Sequence, residues 1–207
     1  MEPSMLPSLD VKYLHPIYEH FFIKNKDLVT PRHFHREINS DEKTGRNPVH
    51  SWILANPKIY NYLKENTYPF GEKIAKTFIK VYGTNNEAGE FLPLHSDQQP
   101  GQNKHRNMFT PEEILTITNT IILYRSSDLE GGEVVMAGDS FEPKSHLRKS
   151  DTRDLTYRLK ILPLKNVGDA AFWHGLTVHG VTSVTRGERI SLIVTKQVEF
   201  KEEYFKR

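Results

Sequence analysis

The chain has 207 residues, no cysteine, and 28 basic against 26 acidic residues, a formal net charge of +2. That length suits one compact domain with a sizeable core. Without cysteine there are no disulfides, iron–sulfur clusters or zinc–thiolate sites, so any metal must rest on His, Asp and Glu. The near-neutral balance gives no electrostatic case for a dedicated nucleic-acid binder.

MEPSMLPSLD at the N-terminus has neither a basic nor an apolar leader segment. No apolar run reaches the roughly 18–20 residues a membrane span needs, so a cytoplasmic protein with no membrane partner is expected. Residues 1–72 mix polar, proline and aromatic residues and read as an N-terminal helical support region of the same domain. Within it, VKYL has the composition of a strand. PKIYNYLKE (57–65) spaces Ile59, Tyr62 and Leu63 for a helix that Pro57 can begin. Asn47-Pro48 and Tyr68-Pro69 mark turns. His33 and His35 in HFH would share a face on a strand. With no glycine-rich strand entry and no spaced Glu and His after them, they read as surface or packing histidines.

From residue 73 the texture changes to short strands separated by turn signals. KIAKTFIKVYG, FLPLHSD, LTITNTIILY, GGEVVMAG, YRLKILPL, DAAFWH and ERISLIVTKQV all fit strands, so 73–200 is expected to be mainly β, a sandwich or barrel in an α+β chain. Residues 98–113 form a long polar stretch directly after FLPLHSD, where a lid or substrate contact is often found. Residues 139–157 interleave basic and acidic side chains and read as a solvated insertion, the alternative being a binding loop for an acidic partner. FKEEYFKR closes the chain, with 201–207 as a polar tail.

His95 and Asp97 stand two apart, so on a strand an imidazole and a carboxylate would project from one face. A distant histidine on a neighbouring strand would complete a two-His, one-carboxylate facial triad of the non-haem Fe(II) type, and His179 lies 84 residues on. Arg189 follows His179 by ten positions and Ser191 by two more. Alternation puts Arg189 and Ser191 on one strand face and Ile190, Leu192 and Val194 on the other. An arginine turned inward is costly unless an anion neutralises it, and a guanidinium with a nearby hydroxyl suits a carboxylate. Taken singly, each residue reads better as part of a structural salt bridge or as a satisfied core histidine; the combination favours a metal site with a carboxylate clamp one strand away.

The ordered elements VYG…GEFLPLHSD, TNTIILYRSSDLEGGEVV and VGDAAFWHG…VHGVTSVTRGERISLIV resemble the Fe(II)- and 2-oxoglutarate-dependent dioxygenases, in their prolyl-hydroxylase-like branch, over about residues 74–197. That resemblance implies a double-stranded β-helix (jelly roll) with His95, Asp97 and His179 as iron ligands. It also implies Arg189 and Tyr124 on the distal carboxylate of 2-oxoglutarate, with Ser191 and Tyr82 in the co-substrate pocket. Gly131 and Gly132 match the family's structural glycine turn. The implied reaction consumes dioxygen and 2-oxoglutarate, hydroxylates a C–H bond and releases succinate and carbon dioxide, with ascorbate as a candidate reductant. A prolyl or other peptidyl substrate is expected. The alternatives are a free amino acid or other small molecule, then nucleic-acid demethylation, then a non-catalytic metal-binding jelly roll. The implied partner is therefore a peptide, protein or small-molecule substrate rather than nucleic acid.

Overall fold

The computed structural model describes residues 3–31, 36–38, 47–70, 74–85, 90–97, 114–137 and 159–199. His33 and His35, the 98–113 and 139–157 stretches and the 201–207 tail lie outside the described residues. VKYL, strand-like by composition, is helical. Val11–Tyr18 (α1) begins at Asp10, whose carboxylate accepts the Lys12 N–H at 3.0 Å. That cap satisfies a donor the first turn leaves free. Leu14, Ile17 and Phe21 follow at helical spacing and are almost fully buried, and this one-sided burial outweighs the strand propensity of four residues. After Tyr18 the winding widens into a π-helix through Lys24.

Asn47-Pro48 starts a helix instead of marking a turn. The Asn47 side chain accepts the N–H groups of Val49 and His50 at 3.0 and 3.2 Å, and proline is tolerated in the first turn because its missing donor would be unused there. Pro48–Leu54 (α2) buries Val49 and Ile53; Pro57–Asn66 (α3), where spacing placed a helix, buries Ile59 and Leu63. Tyr62 of α3 is half-buried, stacked on Tyr13 with ring centroids 3.9 Å apart.

Thirteen strands occur among the described residues. They are Ser4–Leu6 (β1), Val29–Pro31 (β2), Arg36–Ile38 (β3), Ile74–Asn85 (β4), Leu92–His95 (β5), Ile114–Arg125 (β6), Glu130–Gly131 (β7), Val134–Ala137 (β8), Leu159–Ile161 (β9), Ala170–His174 (β10), His179–Val181 (β11), Val184–Arg186 (β12) and Glu188–Glu199 (β13). Seven form one sheet in the order β1-β10-β6-β13-β4-β3-β2, four form a second in the order β5-β11-β8-β9, and β12 pairs with β7. From β4 onward the chain passes back and forth: β4, β6, β10 and β13 in the larger sheet, β5, β8, β9 and β11 in the smaller. Two antiparallel sheets threaded alternately in this way make a double-stranded β-helix, the jelly roll expected from sequence. The N-terminal region supplies more than helices, because β1, β2 and β3 extend the edges of the larger sheet. Each is three residues long, too short for a periodicity to declare it.

β13 lies between β4 and β6 and separates two environments. Ile190, Leu192, Val194 and Val198 join Ile117, Ile121 and the helix residues in the principal core. Arg189 and Ser191 point the other way, into the space between the sheets, as strand alternation requires. There Val134, Met136, Ala171, Trp173 and Val181 form a second core. Lys196, on the helix side, is 1 % exposed. Its ammonium donates to the carbonyls of Thr67, Pro69 and Lys64, so three N–H groups meet three acceptors. Burial, reinforced by the charge of Lys64, draws its pKa down to about 8. No helix among the described residues is long and apolar enough to cross a membrane.

Lys196→Met keeps the stem and strands those carbonyls. Chemical denaturation should show a loss of about 2–4 kcal/mol, in the range for buried acceptors left unpaired. A change below about 0.5 kcal/mol, the size of an ordinary surface substitution, would show that the ammonium does not tie α3 to the sheet.

Candidate metal centre and carboxylate site

β5 and β11 are neighbours in the smaller sheet, and His95 pairs directly with His179. Cross-strand partners project from one face, and the two rings lie 4.4 Å apart between centroids. Asp97 is not the strand partner that its spacing suggested, because β5 ends at His95. The chain turns there, bringing Asp97 Oδ1 to 3.5 Å from His95 Nε2 and Oδ2 to 3.6 Å from His179 Nε2. One ligand atom from each of the three residues falls within 4.8 Å of the others.

The outer bonds of both imidazoles settle their tautomers. His95 Nδ1 is 2.8 Å from the Pro93 carbonyl and His179 Nδ1 is 2.9 Å from that of Thr177. A carbonyl only accepts, so each Nδ1 carries a proton and each Nε2 is the atom turned toward the centre. Burial, the largest influence on His179, lowers its pKa to about 4 and keeps it neutral. Burial also pulls His95 down, but the hydrogen bond and charge of Asp97 outweigh it and leave His95 raised. At Asp97 burial opposes ionisation, yet the histidines and the Thr118 hydroxyl hold the carboxyl well below its usual range. His179 is thus a neutral nitrogen donor and Asp97 an anionic oxygen, while His95 must release a proton for its Nε2 to serve as the second nitrogen donor. Ligands about 2.1 Å from one ion at right angles stand roughly 3 Å apart, so the observed separations suit a divalent cation with small adjustments. The His179 side chain is 6 % exposed, while Asp97 and His95 at 26 % and 34 % form the open rim.

Arg189 is not one strand away from His179; it stands on the opposite sheet, reached through β12 and Gly187. Arg189 and Ser191 are 5 % and 4 % exposed. Arg189 Nη2 and Ser191 Oγ are buried without a hydrogen-bond partner among the described residues. Burial, with the charge of Arg125 acting in the same direction and Glu133 opposing, lowers the guanidinium to about 10. A buried, still cationic group with an unused N–H, beside an unused hydroxyl, is a receptor for an anion. The nearby glycine turn is dictated by backbone: Gly131 and Gly132 have φ of 75° and 71°, and a Cβ on Gly131 would fall 2.0 Å from the Ser183 carbonyl oxygen.

Tyr124 does not join this site. Between Ile190 and Ser191 the β6–β13 register shifts: Ile190 faces Tyr124, Ser191 faces Ile122, and Leu123 is the extra residue of a β-bulge. Tyr124 therefore shares the helix-side face with Ile190 and stacks on Tyr18 at 4.7 Å between centroids. The residue opposite Ser191 on the inward face is the buried Ile122. Tyr82 is registered with Ser191 from β4, and its side chain lies outside the described residues. Two buried neighbours of the metal centre were not singled out from sequence. Thr118 donates to Asp97 Oδ2 at 2.5 Å. The Trp173 ring lies 4.7 Å from the His179 ring between centroids, and its indole N–H has no partner among the described residues. In LTITNTIILY, placing Ile117 and Ile121 on the helix side would have turned Thr116, Thr118 and Thr120 inward.

No family model matches the chain, and no curated protein matches it in sequence. Solved structures do match in fold. A prolyl-4-hydroxylase from Pseudomonas putida aligns with a TM-score of 0.55 at 12% identity, covering 94% of this chain and 91% of that one. HygX from Streptomyces hygroscopicus, solved with nickel and 2-oxoglutarate, gives 0.56 at 13%, covering 95% and 82%. A prolyl hydroxylase from Trichoplax adhaerens, in complex with a hypoxia inducible factor oxygen degradation domain peptide, gives 0.52 at 8%, covering 99% and 87%. The double-stranded β-helix is thus shared with structures of 2-oxoglutarate-dependent oxygenases across nearly the whole chain.

Titration with Co(II) followed by its visible spectrum should show one site per chain, with affinity weakened at least about 100-fold in Asp97→Ala and His179→Ala. Because the ligand nitrogens must be free of protons, half-saturation should need more metal as pH falls from about 8 to about 6. Unchanged binding in either variant would place the ion elsewhere.

Proposed function

We propose that the chain is an Fe(II)- and 2-oxoglutarate-dependent dioxygenase that hydroxylates a C–H bond. The observation that carries this reading is the presence of two sites on the facing sheets of one jelly roll. His95, Asp97 and His179 converge from the smaller sheet, and an anion receptor made by Arg189 and Ser191 faces inward from the larger one. Three protein ligands on one face of an ion leave positions for a chelating keto acid and for dioxygen. Fe(II) with bound 2-oxoglutarate supplies the oxidising chemistry, in which one atom of dioxygen ends in succinate, the other in the hydroxylated product, and carbon dioxide is released.

The protein holds, orients and shields. The two histidines and the aspartate fix the ion, while Arg189 grips the far carboxylate with Ser191 as a second donor. Ile122 and the inter-sheet residues provide an apolar lining that strengthens that grip by excluding water. Tyr82, registered with Ser191 from β4, is a further candidate for that pocket, whereas the Tyr124 side chain belongs to the helix-side packing.

For the substrate we favour a prolyl or other peptidyl residue. Support comes from two of the solved relatives being prolyl hydroxylases, one of them with a peptide bound. A free amino acid or other small molecule is the second reading, since the fold hosts many substrates.

Anaerobically prepared protein given Fe(II), 2-oxoglutarate and air should release succinate, and Asp97→Ala and His179→Ala should abolish the release. Arg189→Ala should raise the KM for 2-oxoglutarate by about tenfold or more, with a smaller effect on kcat, because the clamp acts in the ground state as well as the transition state. Full turnover in the ligand variants would remove the triad assignment, and an unchanged KM would remove the clamp. A screen of peptides against free amino acids separates the two substrate readings by which one stimulates succinate release.

A further inference from the structure

We propose that Thr118 is the positioning residue for the metal-binding carboxylate, holding Asp97 across the gap between the two sheets. This rests on the reading of His95, Asp97 and His179 as an ion site. The two histidines each have a fixed place, being registered with each other on paired strands and bonded through Nδ1 to nearby carbonyls. Asp97 lies beyond the last residue of β5 and has no place in a strand register. What orients its side chain is therefore a separate question from what orients the imidazoles.

Thr118 is 1 % exposed in the centre of the larger sheet, registered with Trp173 of β10 on one side and Thr195 of β13 on the other. Its hydroxyl donates to Asp97 Oδ2 at 2.5 Å, the short distance of a charge-assisted bond. A threonine hydroxyl has one proton to give, and a β-branched side chain on a strand has few rotamers. The donor is thus delivered from a rigid place to a carboxylate that no strand register holds. Two consequences follow. One Oδ2 lone pair is occupied, which would favour single-oxygen rather than two-oxygen coordination of an ion. The carboxylate plane is held toward the histidine pair.

The test is Mn(II) binding by the whole chain, measured by calorimetry, alongside the thermal unfolding of the metal-free protein. Thr118→Val keeps the shape and removes the donor; Thr118→Ala removes it without a second methyl; Thr118→Ser restores it. Valine and alanine should each weaken Mn(II) binding by about 10–100-fold, and serine should return it to within about threefold of the unmodified chain. Metal-free melting temperatures should stay within a few degrees across the set, which a purely structural role would not produce. Tight binding in the valine or alanine variant would overturn the assignment, as would a serine variant as weak as either. If the unmodified chain bound no Mn(II), the ion site itself would fall and this assignment with it.

Discussion

An arginine buried between two sheets with an N–H that nothing among the described residues accepts is an expensive object, and the site follows from it. Desolvating a guanidinium costs several kcal/mol unless an anion compensates. Arg189 is lowered only to about 10 and so stays charged at neutral pH. Ser191, with its unused hydroxyl, shares its strand face two residues on, and the apolar Ile122 stands opposite Ser191. A carboxylate-bearing ligand would resolve the imbalance. An arrangement of this kind stores binding energy for an occupant at the expense of the empty protein's stability.

The jelly roll turns that local imbalance into a two-point site. Because successive strands cross from sheet to sheet, His95 and His179 arrive on adjacent strands of one sheet while Arg189 and Ser191 arrive on the central strand of the other. Neither sheet alone holds both functions. The helices contribute from outside. α1, α2 and α3 cover the back of the larger sheet, and burial of Ile190, Leu192 and Val194 beneath them forces the alternate residues of β13 inward. Packing on one face of a strand thus dictates chemistry on the other.

Much of this was legible in the sequence because it rests on a period of two. The parity of Arg189 and Ser191 against Ile190, Leu192 and Val194 held, as did strands in KIAKTFIKVYG, LTITNTIILY and ERISLIVTKQV and a helix in PKIYNYLKE, each within a few residues of its observed bounds. What was not legible has specific causes. Tyr124 is on the helix side because one extra residue, Leu123, reverses the parity of β6 ahead of it, and no composition signal announces a bulge. Asp97 reaches the histidines through a turn rather than a strand, and Arg189 faces the site from the opposite sheet, a separation that only the threading of the strands reveals. VKYL became helix because Asp10 caps it and Leu14, Ile17 and Phe21 share a buried face that a four-residue window cannot display. Thr118 went unremarked because a threonine in a β-rich run is ordinary until its partner is known.

The central claim is that one molecule is gripped at both ends, by the metal through its keto acid and by Arg189 through its far carboxylate. The most direct measurement is calorimetric titration of 2-oxoglutarate, and separately of glutarate, with and without saturating Mn(II). Glutarate has both carboxylates but no keto oxygen with which to chelate. The account predicts that Mn(II) tightens 2-oxoglutarate binding by about tenfold or more, a coupling of about 1.4 kcal/mol or more, and leaves glutarate nearly unchanged. Equal affinity for 2-oxoglutarate with and without the metal would contradict it.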